Sequence, residues 1–206
     1  MNRFNDQELA RLLKSETRIE SDRLARLHAR LEDAAERDEM LDIAYRTIET
    51  PVGRLLLAAT AKGLVRVAYD SEDHDRVLDR LATQLSPRIL RTPKRLDSAA
   101  RELDEYFEGA RTRFDLRLDF SLASGFRRDV LMHLTEIGYG RTESYAQVAT
   151  AAGSPRAVRA VGTACAMNPL PVVVPCHRVV RSDGSLGGYL GGLEAKRTLL
   201  KLEVSG

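Results

Sequence analysis

The run Val174-Pro175-Cys176-His177-Arg178-Val179 places a thiol directly beside an imidazole, after the apolar residues 172–174. A thiol is reactive as the thiolate, and an imidazole within reach can take its proton. Adjacent side chains on an extended segment point in opposite directions, so His177 would act on Cys176 through a bridging water. The run therefore predicts an activated cysteine nucleophile, which we expect to follow an apolar strand.

A histidine that acts as a base is usually oriented by a third polar group. Glu203, near the end of a predicted last helix at residues 193–203, is a candidate for this role. Judged from its spacing alone, Glu203 fits an exposed carboxylate at a helix end better.

The elements before the cysteine include three predicted helices, at residues 125–137, 144–151 and 156–167. Ser144 is the expected N-cap of the second helix. The turn Gly153-Ser154-Pro155 separates the second helix from the third, as in a helix-turn-helix. A glycine-rich loop at residues 182–192 then joins the cysteine segment to the last helix.

Local charge suggests a nucleic acid partner. Between Ser154 and Arg181 there are four arginines and no acidic residue, although the net charge of the chain is only +2. Such a patch is typical of phosphate contact. The third helix carries the small residues Ala160 and Gly162, which would permit close approach to a groove and offer few groups for reading base edges. A plain packing helix remains an equal alternative at this point.

A nucleophile beside a DNA-binding helix that does not read sequence suggests chemistry on a base. A stacked base is unreachable, so it must first be flipped out of the duplex. Arg159 is long, planar and cationic, and it is the residue best suited to fill the vacated position. A simple phosphate contact is the alternative role for Arg159.

The C-terminal part of the chain resembles the O6-alkylguanine-DNA alkyltransferases, also called methylated-DNA–protein-cysteine methyltransferases, over roughly residues 124–203. The Pro-Cys-His-Arg-Val core is the most specific match, and the region from Tyr45 to Tyr69 resembles the family's N-terminal domain more weakly. The matching stretches keep the family's order: Ser144-Tyr145, residues 156–162, Asn168-Pro169, residues 174–180, residues 187–193 and Lys196.

The resemblance implies a role for each catalytic position. Cys176 would accept the alkyl group, with His177 as its base and Glu203 as the buried acid behind that histidine. Asn168 would brace the site by tying the turn of the helix-turn-helix to the active-site strand. Tyr145 would hydrogen-bond the flipped guanine and give it a proton as the alkyl group departs.

The resemblance also implies the contacts with DNA. Arg159 would be the arginine finger, and Tyr189 and Leu190 would belong to the loop that closes over the base. The N–H of Leu190 would donate to O6, and the carbonyls of Cys176 and Val179 would accept from the exocyclic amine. The remaining residues on the DNA side would be Ser144, Ala160 and Gly162.

The implied reaction is single-turnover transfer of an alkyl group from O6-alkylguanine in double-stranded DNA to Cys176, with O4-alkylthymine as a further candidate substrate. No cofactor is expected, because the alkyl group comes from the DNA. We expect a monomer in solution, and cooperative binding along DNA is left open. Two rivals are a damage-binding protein without an acceptor cysteine and a cysteine hydrolase. Cys176 argues against the first, and the second would need an oxyanion hole.

Three regions are expected, comprising a charged helical N-terminal extension (residues 1–40), an α/β domain (41–123) and a mainly α domain with the helix-turn-helix and the active site (124–206). We predict no function for the extension. The α/β domain should hold a small β-meander, two helices and a half-buried strand. We place the meander strands at residues 43–48, 54–60 and 64–69, the helices at 72–85 and 97–107, and the last strand at 114–120.

Composition limits the remaining classes. No apolar stretch of the 206 residues reaches membrane-spanning length, and the charged N-terminus has no signal-peptide pattern, so we expect a cytoplasmic protein. Cys165 and Cys176 are the two cysteines, and we expect no structural disulfide between them. Cys165 is interpreted as a structural thiol on the third helix. No zinc-site spacing is present, so no metal is expected.

Overall fold

The computed structural model describes residues 41–205, together with six helical residues of the predicted extension. The chain divides into two compact units, Met1–Leu41 and Asp42–Gly206. The rest of the extension lies outside the described residues. No helix in the described part of the chain is long and apolar enough to cross a membrane. The six described residues of the extension are Arg23, Leu24, Arg26, Leu27, Arg30 and Ala34.

The second unit begins with the β-meander that the sequence predicts. Strands β1 (Ile43–Ile48), β2 (Leu55–Thr60) and β3 (Gly63–Tyr69) pair antiparallel. A short strand that was not predicted, β4 (Ile89–Arg91), pairs parallel with β1, which gives the order β3-β2-β1-β4. The meander prediction is confirmed, with one strand added at its edge.

Two helices follow the meander strands. Helix α1 (His74–Gln84) turns Val77 and Leu81, four residues apart, toward the sheet, and Asp73 caps its first turn by accepting from the N–H of Arg76. Helix α2 (Asp97–Phe107) has the predicted bounds. The core between sheet and α1 is formed by Ile43, Leu56, Ala58, Val65, Ala68, Val77 and Leu81.

The predicted strand at residues 114–120 is wrong. The segment makes a single bridge, in which Leu64 donates to the carbonyl of Arg117 at 2.8 Å and accepts from the N–H of Asp119 at 2.8 Å. Further along β3 the N–H of Val67 donates instead to the carbonyl of Pro169, at 2.8 Å. The outer edge of β3 is therefore shared between two segments, and neither can extend into a full strand.

The C-terminal part is mainly helical, as predicted. Its helices are α3 (Gly125–Leu134), α4 (Tyr145–Ala151), α5 (Val158–Ala166) and α6 (Gly192–Ser205). Strands β5 (Glu143–Ser144) and β6 (Val179–Val180) form a two-stranded parallel sheet.

Helix α4, the turn after it and helix α5 are the predicted helix-turn-helix. Ser144 caps α4 as expected. Its hydroxyl accepts from the N–H of Gln147 at 3.2 Å, and the Gln147 side chain accepts from the N–H of Ser144 at 2.7 Å.

The predicted apolar strand before Cys176 is also wrong, because the segment is a compact turn. Val174 donates to the carbonyl of Leu170 at 2.8 Å, and Val172 has a φ of +73°, which β-branched residues rarely adopt. Pro175, with φ −81° and ψ 62°, forms an inverse γ-turn that the N–H of Cys176 closes onto Val174. Prolines at positions 171 and 175 remove two donors that a strand would use.

Candidate active site

Cys176 begins a 3₁₀ turn (Cys176–Arg178) and is buried. Asn168 holds this segment with its whole side chain. Its Nδ2 lies 3.1 Å from Sγ of Cys176 and 2.8 Å from the carbonyl of Val174, and its Oδ1 accepts from the N–H of Leu170 at 2.9 Å. These bonds orient the thiol, and they come from the segment that directly follows α5.

The expected partners of Asn168 need correction. Asn168 follows α5, and none of its side-chain hydrogen bonds reaches the turn between α4 and α5. It braces the tight turn around Cys176 rather than a strand, because the two prolines fold that segment back on itself.

His177 is fully buried, and its Nε2 lies 2.8 Å from Oε1 of Glu203. Burial lowers the pKa of His177 and outweighs the opposite effect of Glu203, so the ring is neutral near pH 7. Because Glu203 is ionised, as shown below, the hydrogen of the neutral ring must lie on Nε2. Nδ1 is then an unprotonated acceptor, and no hydrogen-bond partner for it lies within the described part of the chain.

Glu203 is buried near the end of α6 and is not the exposed helix-end carboxylate that its spacing suggested. Burial alone would raise its pKa. Hydrogen bonds from His177, Arg178 and Tyr106 outweigh burial and lower the pKa of Glu203 to about 2. The phenol of Tyr106 donates to Oε1 at 2.6 Å, and the N–H of Gly140 donates to Oε2 at 3.2 Å. The carboxylate is therefore charged at neutral pH and fixed from several sides.

Arg178 is not part of a basic surface patch, so the sequence prediction is wrong for this arginine. It is buried, and its Nε and Nη2 donate to the carboxylate of Glu203 at 2.9 Å each. Its Nη1 donates to the carbonyl of Ile137. Arg178 neutralises the buried charge of Glu203, whereas Arg159 and Arg181 are exposed.

The thiol of Cys176 is protonated at rest. Burial raises its pKa to about 11, although the hydrogen bond from Asn168 and the charge of Lys196 act in the opposite direction. Lys196 is itself buried, and its Nζ donates to the carbonyl of Val179 at 2.6 Å. The site thus combines a neutral thiol with a nearby neutral imidazole, and reaction requires the proton to move first.

Two tyrosines contact the segments around the thiol, Tyr145 at the glycine-rich loop and Tyr189 at His177. Tyr145 begins α4 and is half-buried. A Cβ placed at Gly187 would overlap its phenol, so loop and ring are in close contact. Burial raises the pKa of Tyr145, which therefore keeps its proton at neutral pH. Tyr189 stands edge-on to the ring of His177, with centroids 6.2 Å apart and an interplanar angle of 86°.

The structure places the predicted DNA-side residues in two groups. Arg159 and Ala160 are exposed on α5 with Gly162 half-buried, while the buried face of the helix is formed by Val161, Ala164 and Cys165. The other exposed residues of this helix are Val158, Thr163 and Ala166, so Arg159 is the one long side chain on its exposed face. Ser144, in contrast, is half-buried as the cap of α4.

The second group lies around the thiol. The carbonyl of Cys176 already accepts from the N–H of Val179, and the carbonyl of Val179 accepts from Lys196. A guanine amine would have to use their second lone pairs. Leu190 lines a cavity of about 300 Å³ behind the Asn168–Pro169 segment.

Cys165 is buried and carries a free thiol, as expected for a structural residue. Burial raises its pKa, so this thiol is protonated. Among the described residues, no group of three His, Cys, Asp or Glu side chains could hold a metal ion.

Three residues of the site were not identified from the sequence. Tyr106 lies on α2, 97 residues from Glu203, and no motif marks it. Lys196 was matched without a role, and Arg178 was counted as surface charge. The Cys-His-Arg order was the one available signal, and it concerned Arg178. It places a guanidinium next to a histidine that needs a carboxylate partner, so the same carboxylate could also pair with the arginine.

A buried thiol beside a buried imidazole, next to a helix-turn-helix, is the arrangement expected of a protein that performs covalent chemistry on DNA. Two family models match this chain: the 6-O-methylguanine DNA methyltransferase ribonuclease-like domain over residues 43–120 and the DNA binding domain of the same family over residues 125–205. The chain belongs to the methylated-DNA–protein-cysteine methyltransferase family, and it is a DNA repair methyltransferase that acts on DNA.

Relatives named for the same activity are similar in sequence to most of this chain. The methylated-DNA–protein-cysteine methyltransferase of Methanosarcina barkeri is 40% identical over 159 residues, covering 77% of this chain and 96% of that protein. The constitutive enzyme of Bacillus subtilis is 41% identical over 160 residues, covering 77% and 94%. The crystal structure of Mycobacterium tuberculosis OGT in complex with DNA matches with a TM-score of 0.68 and 38% identity, covering 79% and 93%.

Proposed function

We propose that this chain repairs O6-alkylguanine in duplex DNA by moving the alkyl group, once, onto Cys176. The observation that carries the proposal is the arrangement of a neutral buried thiol, a neutral imidazole with a free acceptor nitrogen and an ionised carboxylate. Such a thiol stays inert until a base removes its proton, which suits a protein that must not react before it meets its lesion.

The transfer is a single displacement at the alkyl carbon. The thiol proton passes through a water to Nδ1 of His177, and the resulting imidazolium is stabilised by Glu203. The thiolate forms the S–C bond as the O6–C bond breaks, and Tyr145 gives its proton to the departing guanine. Asn168 stabilises the thiolate through its Nδ2. The product is a thioether, which this site has no means to cleave, so each protein acts once.

On the DNA side, we propose that α5 lies in the minor groove. The small residues Ala160 and Gly162 allow close approach, and Arg159 fills the position of the flipped base. Ser144 contributes at the start of α4. The flipped guanine is then recognised by Tyr145, the carbonyl of Val179 and the loop that carries Tyr189 and Leu190.

The proposal extends to the partner, the oligomeric state, the location and the domain boundaries. Double-stranded DNA is the partner, the protein binds it as a monomer without a cofactor, and O4-alkylthymine is a second candidate lesion. We infer that it works where chromosomal DNA lies, in the cytoplasm of cells such as those of the relatives above. We also propose domain boundaries at residues 41–123 and 124–206, after the extension at residues 1–40.

A titration tests the proposal. A fixed amount of protein is mixed with increasing amounts of duplex DNA that contains O6-methylguanine, and the restored guanine is counted at completion. We expect a plateau at one repaired lesion per protein, with no further repair on longer incubation. Repair that continues beyond one lesion per protein would show a turnover enzyme and exclude the stoichiometric acceptor.

Substitution of Arg159 by alanine is expected to slow repair in duplex DNA by on the order of tenfold or more, because unstacking a base costs a few kcal/mol and the finger offsets part of that cost. Transfer from free O6-benzylguanine should be nearly unchanged, because that substrate needs no flipping. Arg156→Ala removes the same charge next to α5 and should have a smaller effect on the duplex. Equal losses of Arg159→Ala on both substrates would remove the finger role.

The pH dependence of transfer from free O6-benzylguanine reports which group is the base. Burial lowers the pKa of His177 below the ordinary histidine pKa of 6.5. Nδ1 therefore becomes protonated, and stops being an acceptor, only below pH 6.5. We expect a rate that is flat from about pH 7 to 9 and falls below pH 6.5 as Nδ1 becomes protonated. A rate that instead rises steadily across pH 7 to 9 would indicate direct ionisation of the thiol, without His177 as base.

A further inference from the structure

Tyr69, the last residue of β3, connects the meander domain to the active-site loop. It is buried, and its hydroxyl lies 2.9 Å from that of Tyr189. The two rings meet edge to face, with centroids 5.9 Å apart and an interplanar angle of 76°. Tyr189 in turn stands edge-on to His177. A continuous contact thus runs from β3 through two phenols to the imidazole.

The loop backbone also rests on the ring of Tyr69. A Cβ placed at Gly191 would lie 2.5 Å from Cζ of Tyr69 and 2.6 Å from Cε1. A residue with a side chain at this position would therefore push the loop off the ring. The absence of a side chain at Gly191 lets the loop settle directly on Tyr69, so the phenol contacts the loop at two points.

Tyr69 is held firmly by its own domain. Its N–H donates to Oε1 of Glu72 at 2.9 Å, and Glu72 also pairs with Arg66. The same strand reaches the other wall of the site, where Val67 donates to the carbonyl of Pro169 at 2.8 Å. β3 is thus a rigid support that touches both the Asn168–Pro169 segment and the loop.

The position of Tyr189 against His177 gives this support a chemical consequence. Tyr189 stands edge-on to His177, the residue that follows the reacting Cys176, and the hydroxyl of Tyr69 contacts that of Tyr189. In the proposed reaction the loop that carries Tyr189 covers the flipped base, so the alkyl group on that base must fit between this loop and the thiol. The placement of the Tyr189 ring therefore limits the space for the alkyl group.

We propose that Tyr69 is a positioning residue for alkyl transfer and that, by fixing Tyr189, it determines how large an alkyl group the site accepts. The inference rests on the proposed function in taking Cys176 as the acceptor. A methyl group needs the closed, fixed loop for good alignment. A benzyl group gains from a looser loop, so removing the hydroxyl contact should affect the two lesions unequally.

The test uses the full chain with Tyr69→Phe, which removes one hydroxyl and keeps the ring on which Gly191 rests. Transfer rates are measured with duplex DNA carrying either O6-methylguanine or O6-benzylguanine. We expect methyl transfer to fall about fivefold, the equivalent of one neutral hydrogen bond, and benzyl transfer to fall less. The benzyl-to-methyl ratio should therefore rise about threefold or more, by the same energetic scale. Tyr45→Phe, on β1, is the matched control and should keep the wild-type ratio.

A double-mutant cycle with Tyr189→Phe distinguishes positioning from general loss of stability. Because one bond joins the two hydroxyls, the double variant should lose no more methyl transfer than either single variant. Additive losses, or an unchanged benzyl-to-methyl ratio in Tyr69→Phe, would overturn the proposal. Failure of the wild type to transfer any alkyl group would instead overturn the proposed function, so the two failures are distinguishable.

Discussion

A Cys176→Ala protein is expected to transfer no methyl group from O6-methylguanine and to bind duplex DNA as tightly as the wild type. The exposed face of α5 carries the proposed DNA contacts and contains no part of the thiol site. Asn168 loses its contact with Sγ but keeps its bonds to Val174 and Leu170, so the turn should persist. Transfer is measured by loss of the lesion, and binding by titration of labelled duplex.

The second cysteine provides the control for this experiment. Cys165 is buried, burial raises its pKa, and its face of α5 packs into the domain. Cys165→Ala should therefore keep transfer close to the wild-type rate. Measurable repair by Cys176→Ala would mean that another group accepts the alkyl, and the proposed acceptor would be wrong.

Replacing Arg178 by methionine should lower the free energy of unfolding by about 3–5 kcal/mol, because it leaves the buried carboxylate of Glu203 without its cationic partner. The side chain of Glu203 is almost fully buried, and Arg178 donates to both of its oxygens. Urea denaturation followed by circular dichroism measures the loss. Arg181→Met is the matched control, since this exposed arginine should contribute less than about 1 kcal/mol.

The effect of Arg178→Met should depend on pH in a defined direction. The folded-state pKa of Glu203 is about 2, against an ordinary value of 4.5. The stabilisation it brings is complete above pH 4.5 and is lost as the pH falls toward 2. The variant raises this pKa, so the difference in unfolding free energy should be largest near neutral pH and shrink on acidification. A difference that is independent of pH would mean that Arg178 stabilises by packing alone.

The local features of this fold were predictable because they depend on neighbouring residues. Alternating apolar and polar residues, together with the turn residues between them, predicted the meander. The bounds of α2 agree with the sequence prediction. The pairing of Ser144 with Gln147 follows from spacing within one helical turn. β4 was missed because it is three residues long and lies between Pro87 and Pro93, where few residues remain to show a pattern.

The site itself depends on contacts between distant residues. Cys176 and His177 were found as a motif, but the burial of Glu203 and its bond from Tyr106 arise only when α2 and α6 pack together. The interpretation of residues 172–174 as a strand failed for a related reason. The apolar character of these residues correctly predicts that they are buried. The backbone conformation is set instead by the prolines on either side, which favour a turn.

The central claim is that the sulfur of Cys176 receives the alkyl group, and the modified protein can be weighed to test it. After reaction with O6-methylguanine duplex, the intact mass should rise by one methyl group. Trypsin leaves both cysteines in the single peptide 160–178, so the modified residue must be located by fragmentation within that peptide. The account predicts one methyl group on Cys176 and none on Cys165. Repaired DNA with an unmodified Cys176 would contradict it.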